Sequence, residues 1–385
     1  MKQFLEGSRA VAEAVKLCKP GVISAYPITP QTHIVEDLAQ IIADGELKAE
    51  FVNVESEHSA ASVVLGSAAC GVRSFTATSS QGFLLMIEVL FNIAGMRIPL
   101  VMTCANRAIS APLSIWNDQQ DSMTARDSGW IQLYAENNQE AVDFHIQAYK
   151  ISENKDVMLP VMVCMDGFIL THGAEVVDMP DAAEVDKFLP PFNLIDKLDI
   201  NSPKTLGAFA DPNYYMEARY AMQAANENAL KVIPKVADEF KQIFGRHSGG
   251  LVEAYKIDDA EQVIVAMGSI VGTIKETVDE LRAQGKRVGV LKIITYRPFP
   301  RNEIIRALKD VPEVAVLEKA VSLGNTGPLY SELRADILGK GKCSKISGFI
   351  IGLGGRDITK ESIKEVFGSL SKEETACKFI GLKEE

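Results

Sequence analysis

Short apolar segments alternate with segments of helical periodicity along most of this sequence of 385 residues. In the first part the predicted strands cover residues 22–25, 51–54, 74–78, 100–104 and 157–165, and the predicted helices cover 8–17, 31–42, 58–70, 83–94 and 138–152. Strands that alternate with helices at this spacing favour a parallel sheet with helices on both faces. We therefore predict an α/β domain over residues 1–172.

A second run of the same kind begins at Glu261. Its predicted strands cover residues 262–267, 288–293, 314–317 and 346–351, and its predicted helices cover 272–284, 302–309 and 329–338, which makes residues 261–385 a second α/β domain. Residues 173–260 between them contain several prolines and one sustained helix, 217–244, and are too long for a plain linker. Two interpretations stay open: an arm that crosses between domains or wraps a partner subunit, and an insertion that covers sheet edges.

The charge balance excludes several classes of partner. The net charge is −11, the pI is near 5.2, and no run of Lys or Arg stands out, so we expect no nucleic acid and no anionic membrane as partner. The most apolar window, 82–104, is interrupted by charged and polar residues and by Pro99, which favours a buried helix and strand over a membrane span. The first residues lack the apolar core of a signal peptide, and a cytoplasmic protein is predicted.

The six cysteines stand far apart, at positions 18, 70, 104, 164, 343 and 377. Because none of them forms a CxxC pair, the sequence predicts neither a zinc knuckle nor an iron–sulfur cluster. Cys70, Cys104 and Cys164 lie in apolar runs and are predicted to be core residues. If this protein handles electrons, another chain must carry the metal.

Residues 51–82 are the main candidate for chemistry. A predicted strand runs directly into Glu55 and Glu57, and the helix that follows consists mostly of Ala, Ser, Val, Leu and Gly, a composition typical of a helix buried on all sides. A glutamate at such a strand end is either a charge partner of the helix N-terminus or a catalytic carboxylate in a dry site. The residues themselves leave both interpretations open.

Two other strand ends carry polar or rigid residues, namely Tyr26-Pro27-Ile28-Thr29-Pro30 and Asn106-Arg107. In a parallel sheet these segments and Glu57 meet at the same edge, formed by the carboxyl ends of the strands. The guanidinium of Arg107 suits a planar carboxylate because it donates two parallel hydrogen bonds. A structural role would account for each of these residues taken alone. Their expected convergence at one edge suggests a site for an organic acid.

Long motifs of this chain resemble the α subunit of pyruvate:ferredoxin oxidoreductase, within the wider 2-oxoacid:ferredoxin oxidoreductases. They are YPITP at 26–30, VESEHSAA at 54–61, TATSSQG at 76–82, NRAISAPLSIWNDQQD at 106–121, RDSGWIQLYAENNQEA at 126–141, VMVCMDGF at 161–168 and YRPFP at 296–300. The resemblance therefore covers nearly the whole chain, and its motifs are long.

The resemblance implies a fold and a role for each candidate residue. Residues 1–172 are similar to the domain that binds the pyrimidine of thiamine diphosphate, and 261–385 to the transketolase C-terminal-like domain. Glu57 would bond N1′ of the aminopyrimidine, and Thr29 and Arg107 would hold the carboxylate of the 2-oxoacid. The other residues expected around the cofactor are Tyr26, Pro27, Ile28, Ser79, Ser80 and Gln81.

The family's reaction is the oxidative decarboxylation of pyruvate or a related 2-oxoacid, with coenzyme A as co-substrate and ferredoxin as electron acceptor, in anaerobic metabolism. Asp166-Gly167 imitates the family's magnesium motif, but Met165 stands where that motif has Gly, so no metal ligand is predicted here. Mg²⁺ and the diphosphate are expected on a β subunit, and [4Fe-4S] clusters on a ferredoxin-like subunit beside a γ subunit. The chain alone should be inactive.

Two alternatives remain at this stage. One is a subunit of a non-redox thiamine-diphosphate enzyme of the transketolase or E1 type, and the other is a non-catalytic α/β scaffold. His58 and His145 are candidate acid–base groups, with a structural role as the alternative, and Trp116 and Trp130 are candidate core or interface residues. The sequence does not identify which 2-oxoacid is the substrate, although Pro112 and Leu113 indicate a pocket for a small apolar side chain.

Overall fold

The computed structural model describes residues 1–337, 339–341, 343, 345–372 and 374–383. The elements up to residue 244 are β1 (Lys2–Glu6), α1 (Gly7–Cys18), β2 (Val22–Ala25), α2 (Thr32–Ala43), β3 (Glu50–Asn53), α3 (Glu57–Ala69), β4 (Ser74–Thr78), α4 (Ser80–Gly95), β5 (Val101–Asn106), α5 (Gln120–Met123), β6 (Ile131–Tyr134), α6 (Asn138–Ser152), β7 (Val161–Asp166), β8 (Ala174–Asp178), α7 (Ala182–Phe188) and α8 (Tyr215–Phe244).

The remaining elements are β9 (Val252–Tyr255), β10 (Gln262–Ala266), α9 (Ile270–Ala283), β11 (Val288–Ile293), β12 (Thr295–Arg297), α10 (Arg301–Leu308), β13 (Glu313–Glu318), α11 (Pro328–Ile337), β14 (Lys345–Ile350), α12 (Lys360–Leu370) and β15 (Lys378–Phe379). The predicted helix 329–338 corresponds to α11, and its last position, Leu338, lies outside the described residues.

The first sheet has seven strands in the order β12-β6-β7-β5-β4-β2-β3, and all its pairs are parallel except β12 with β6. Asn106 pairs with Asp166 at the last position of β5 and β7. The carboxyl ends of β2, β4, β5 and β7 therefore form one edge of the sheet, where open α/β folds place their ligands.

Helices cover both faces of this sheet because each face buries its own apolar residues. One core contains Val11 and Val15 of α1 with Phe144 of α6, and the opposite one contains Val64 of α3 and Phe83 of α4. Two helices that begin at this edge have side-chain caps: Ser56 accepts a bond from Ser59 N at 3.2 Å, and Asn137 accepts one from Glu140 N at 2.9 Å.

The second sheet has six strands in the order β15-β14-β13-β10-β11-β9, in which only β9 is antiparallel to its neighbour. One strand crosses from the second unit to the first sheet: β12 directly follows β11 of the second sheet in sequence, yet it pairs with β6 of the first sheet. Trp130, Tyr134 and Tyr296 belong to the same buried cluster as Val263 of β10, so one core continues between the sheets.

The segment between the two sheets fits neither sequence interpretation alone. The carboxyl-terminal half of α8 covers the first unit through the contacts of Phe240 and Phe244 with Phe188 of α7, whose ring centroids lie 5.5 and 5.7 Å away. The part around Tyr214 and Tyr220 is exposed. The boundaries 1–172, 173–260 and 261–385 stay a prediction, and β9, which precedes position 261, pairs with β11 of the second sheet.

Two expectations about burial are wrong. Helix α3 is not buried on all sides, because His58, Ser62 and Gly66 form an exposed row at every fourth position. Cys70 continues this row just past the end of the helix and is exposed, whereas Cys104 and Cys164 are buried as predicted. Small residues permit close packing, but they do not reveal which element lies opposite.

Among the residues that the structure describes, no helix combines the length and the hydropathy needed to cross a lipid bilayer.

Candidate active site

Glu57 is the first residue of α3, at the carboxyl edge of the first sheet, and only 7% of it is exposed. Within the described residues neither of its carboxylate oxygens has a hydrogen-bond partner. Gly82 of α4 lies against it so closely that a Cβ at position 82 would be 2.4 Å from its Oε1. Glu55, by contrast, is exposed and accepts a hydrogen bond from Ser59 Oγ at 2.5 Å. The two glutamates are only two positions apart in sequence, yet one is buried and the other is exposed.

The turn Ser79-Ser80-Gln81 ties the end of β4 to the segment that follows β5. Ser79 Oγ donates to the carbonyl of Ala105 at 2.7 Å, and Ser80 Oγ donates to that of Ala108 at 2.5 Å. Gln81 Nε2 donates to Ser110 Oγ at 2.8 Å. These bonds fix the residues beside Gly82, and hence the wall that faces Glu57.

Arg107 follows β5 and is 6% exposed. Its Nη1 donates to the carbonyl of Thr29 at 2.8 Å and its Nε to that of Ser114 at 3.0 Å. Burial lowers the pKa of Arg107, against a smaller opposing effect of Asp121, but a guanidinium stays protonated at neutral pH. Its Nη2 has no partner among the described residues, which leaves the two N–H groups of this nitrogen for a ligand.

The loop 26–30 is brought to the same edge by Gln31, a buried residue that sequence reasoning missed. Gln31 Nε2 donates to the carbonyl of Ala77 at 2.7 Å, and its Oε1 accepts from Ile28 N at 3.2 Å. Tyr26, Pro27 and Thr29 are exposed at the rim. Thr29 contacts Arg107 through its carbonyl, whereas the resemblance gave it a part in holding the acid.

Asp121 joins these segments and was also missed, although it closes the NDQQD motif at 117–121. Its carboxylate accepts hydrogen bonds from Ser80 N at 3.0 Å, Arg107 N at 2.9 Å, Asn106 Nδ2 at 2.8 Å and Ser122 N at 2.7 Å. Burial raises the pKa of Asp121, while these four donors act to lower it. One side chain thus sets the position of both the Ser80 turn and Arg107.

A second buried carboxylate connects the first unit to the second. Asp166 accepts from Lys319 Nζ at 2.9 Å and from Ser269 N at 2.9 Å, and Lys319 also donates to Asn117 Oδ1 at 2.7 Å. Burial acts to raise the pKa of Asp166, but Lys319 and Ser269 outweigh it, and the pKa is lowered. The segment 117–121 is therefore held from both sides.

The remaining candidates differ in burial and in their distance from this edge. His145 is buried within α6, where Nε2 lies 2.6 Å from Thr103 Oγ1 and Nδ1 lies 2.6 Å from the carbonyl of Ala141, and burial lowers its pKa to about 4. His58 is exposed. Trp130 is buried and donates to the carbonyl of Leu90 at 2.9 Å, whereas Trp116 is 53% exposed.

Residues 13–238 match the family described as pyruvate flavodoxin/ferredoxin oxidoreductase, thiamine diP-bdg, and residues 260–363 match pyruvate:ferredoxin oxidoreductase core domain II. The first match alone spans more than half of the chain. The chain belongs to this family. The resemblance recognised in the sequence motifs, and the 2-oxoacid:ferredoxin oxidoreductase class that it implied, are confirmed.

Curated members of the family match over nearly their whole length. Pyruvate synthase subunit PorA of Methanothermobacter thermautotrophicus is 53% identical over 383 residues, which covers 100% of this chain and 99% of the relative. The same subunit of Methanocaldococcus jannaschii is 53% identical over 99% of this chain and 98% of the relative. Ketoisovalerate oxidoreductase subunit VorA of Pyrococcus abyssi is 44% identical over 97% and 94%.

Solved structures share the fold at lower identity. A 2-oxoglutarate:ferredoxin oxidoreductase from Magnetococcus marinus superposes with a TM-score of 0.73 at 20% identity and covers 96% of this chain and 65% of its own, so the chain spans less than two thirds of that longer polypeptide. A transketolase from Campylobacter jejuni superposes with a TM-score of 0.53 at 14% identity, over 96% of this chain and 45% of its own. The predicted α/β fold, with thiamine-type and transketolase-like parts, is confirmed.

Proposed function

We propose that this chain is the α subunit of a multi-subunit pyruvate:ferredoxin oxidoreductase of the pyruvate synthase type, and that it is active only within the complex. The reaction joins the acyl group of the 2-oxoacid to the sulfur of coenzyme A, releases carbon dioxide and passes two electrons to oxidised ferredoxin. Full-length relatives named pyruvate synthase subunits support this function over the non-redox and scaffold alternatives.

The observation that carries the proposal is the buried carboxylate of Glu57 beside Gly82, which has no hydrogen-bond partner in the part of the chain that the structure describes. A carboxylate that is 7% exposed and accepts no hydrogen bond from the described residues can accept one from a donor that the assembled site supplies. Thiamine diphosphate supplies, when bound, the nucleophilic carbon that attacks the ketone. Glu57 fits a bond to a ring nitrogen of its pyrimidine, and the absence of a side chain at position 82 leaves room for the carboxylate of Glu57 itself.

Arg107 and the loop 26–30 fit the other reactant. The free Nη2 of Arg107 and the neighbouring Thr29 hydroxyl would hold the carboxylate of the 2-oxoacid, which orients the ketone and lowers the entropic cost of reaction. Tyr26, Pro27 and Ile28, with the Ser79-Ser80-Gln81 turn, would form the wall around the pyrimidine.

The site needs other chains. The carboxylate of Asp166 is already bound to Lys319 and Ser269, and the cysteines of this chain are scattered. We therefore assign the diphosphate with Mg²⁺ to a β subunit, and the [4Fe-4S] clusters to a ferredoxin-like subunit that acts with a γ subunit. Exposed apolar side chains in the segments that form this edge support a partner-covered face; they are Leu85, Leu113, Trp116 and Ile169.

Replacing Glu57 in the assembled complex tests this function. With Glu57→Gln we expect pyruvate- and coenzyme A-dependent reduction of ferredoxin to fall by about 100-fold or more, because one acid–base contact contributes that much to a rate. The measurement is anaerobic absorption of the acceptor, beside the thiamine diphosphate content of the complex. Glu55→Gln, two positions away and exposed, is the matched control; equal activity in both variants would contradict the assignment.

Arg107→Lys tests the carboxylate site separately. Lysine keeps the charge but lacks the planar fork, so we expect the KM for pyruvate to rise by about tenfold or more, the free-energy equivalent of one charged hydrogen bond. Initial rates over a range of pyruvate and 2-oxoisovalerate concentrations measure it. A change in the coenzyme A KM with an unaltered pyruvate KM would place Arg107 elsewhere in the reaction.

A further inference from the structure

Glu6, His33 and His172 form a cluster of possible metal ligands outside the candidate active site. Glu6 ends β1, His33 is the second residue of α2, and His172 lies in the loop after β7. One carboxylate oxygen and one nitrogen of each ring all lie within 4.8 Å of one another. Three segments that are distant in sequence thus present two imidazoles and a carboxylate to one point.

The contacts within the cluster are close. His33 Nδ1 lies 2.7 Å from Glu6 Oε1, and the rings of His33 and His172 stack with their centroids 4.7 Å apart. The side chains of His33 and Glu6 are 47% and 37% exposed, so an ion in solution reaches them. Two imidazoles with one carboxylate form the donor set that zinc takes in open sites, where a water molecule completes the coordination.

Hydrogen bonds join two of the segments that carry the cluster, next to the proposed ligands Glu6 and His172. Ser8, two residues after Glu6, donates from both its N and its Oγ to the carbonyl of Thr171, each at 2.9 Å. Thr171 Oγ1 lies 2.8 Å from His172 Nδ1 and accepts from Phe168 N at 2.8 Å. A hydroxyl on one ring nitrogen orients an imidazole and leaves its other nitrogen for a ligand.

Acidic residues of the same helix also favour a cation at this point. Glu36 and Asp37 follow His33 by three and four positions in α2. Arg9 offsets part of their charge because its Nη1 lies 3.3 Å from Asp37 Oδ1.

We propose that Glu6, His33 and His172 bind one divalent transition-metal ion of the zinc class. The ion ties β1, α2 and the loop after β7 together behind the candidate active site. His33 follows the 26–30 loop by three residues, and His172 stacks on Phe168, whose ring lies 4.6 Å from that of Trp116. The proposal is independent of the reaction assigned to the chain.

Metal binding to the full chain tests the site without any activity measurement. After treatment with a chelator, the chain is titrated with Zn²⁺ by calorimetry and with Co²⁺ by visible absorption. We expect one ion per chain, and an affinity at least about tenfold weaker for His33→Ala and for His172→Ala, since even supporting residues of metal sites contribute that much. His247→Ala, an exposed histidine elsewhere, is the matched control and should bind as the original chain does.

Two results would overturn the proposal. If Zn²⁺ binds equally to the original chain and to both variants, it binds at another site. If Zn²⁺ does not bind to the folded original chain, the cluster is only an ion pair between Glu6 and His33. Thermal unfolding with and without Zn²⁺ gives the second readout: the stabilisation by the ion should disappear in the variants. If either alanine variant fails to fold, Glu6→Gln and His33→Gln keep the volume and test the same ligands.

Discussion

Two glutamates at the start of one helix show how environment decides the role of a residue. Glu55 and Glu57 have the same side chain, yet Glu55 is exposed and accepts a hydrogen bond from Ser59, while Glu57 is buried and has no partner among the residues described. The sequence could predict that a carboxylate lies at this strand end, because the strand and the helix were both recognisable. It could not predict the close approach of Gly82, which depends on how α4 packs on α3.

Gly82→Ala tests that close approach. The new Cβ would lie 2.4 Å from Oε1 and 2.7 Å from Cδ of Glu57, so the carboxylate must move. We expect ferredoxin reduction by the complex to fall by about tenfold to 100-fold, since small misplacements of catalytic groups have effects of this size. Turnover of the assembled complex is the measurement.

Gly368→Ala is the control for this substitution. Gly368 lies inside α12, is exposed, and a Cβ there meets nothing within 4 Å. We expect unaltered turnover and a stability gain of about 0.5–1 kcal/mol from the better helix propensity of alanine. Full activity in Gly82→Ala would show that Glu57 does not need its present position.

At the scale of elements, periodicity predicted most strands and helices of both sheets to within a few residues. Those it missed include β6, β9, β12 and β15, which have only two to four residues and are too short for an alternating pattern, and the helix α12. The polar stretch 106–129 shows no helical or strand period, and the structure explains why: its order comes from Asp121 and Asn117, which bond backbone and side chains of other elements. Such tertiary bonds leave no periodic signal in a sequence.

Asp118 in this stretch makes stability depend on pH. Its carboxylate accepts from Gly354 N at 3.2 Å and from Gln120 N at 3.1 Å, and burial raises its pKa to about 7. The unfolded chain ionises Asp118 near pH 4. The contribution of Asp118 to the free energy of unfolding therefore falls by up to about 4 kcal/mol as pH rises from about 4 to about 7. At higher pH it stays constant.

Asp118→Asn removes this dependence. We expect the unfolding temperature of the variant, relative to that of the original chain, to rise between about pH 5 and about pH 8. At higher pH the difference between the two temperatures should be constant. Thermal unfolding of the full chain at several pH values measures it. Asp127→Asn, whose side chain is 74% exposed, is the control and should leave the pH profile in place. A gap that shrinks as pH rises would contradict the sign of the argument.

At the scale of the whole molecule, buried charge joins the two sheets. The Lys319–Asp166 pair is only 1–2% exposed and joins the residue after β13 to the last residue of β7. Its further partners are Ser269, which directly precedes α9, and Asn117. Sequence reasoning treated Asp166 as a failed magnesium motif and did not pair it with Lys319, because the two residues are 153 positions apart.

Lys319→Met should destabilise the protein by about 3–5 kcal/mol, because it leaves the carboxylate of Asp166 buried without its countercharge. Adding Asp166→Asn to this variant should restore part of the loss. The midpoint of urea unfolding gives the comparison. Lys19→Met removes an exposed pair with Asp186 and should cost no more than about 1 kcal/mol. Similar losses in the two single variants would show that this pair does not hold the sheets together.

The pairing of β12 with the first sheet limits how this chain can be divided into separate proteins. Thr295 and Arg297 pair with Leu133 and Gln132 of β6, so a gene truncated before position 295 would produce a protein whose first sheet ends in a bare backbone edge. Bare edges recruit strands from other molecules and lead to aggregation. The thiamine-type part can therefore not be cut out as an independent module, and any split or fusion of the gene must keep the three residues of β12 with the sheet that they complete.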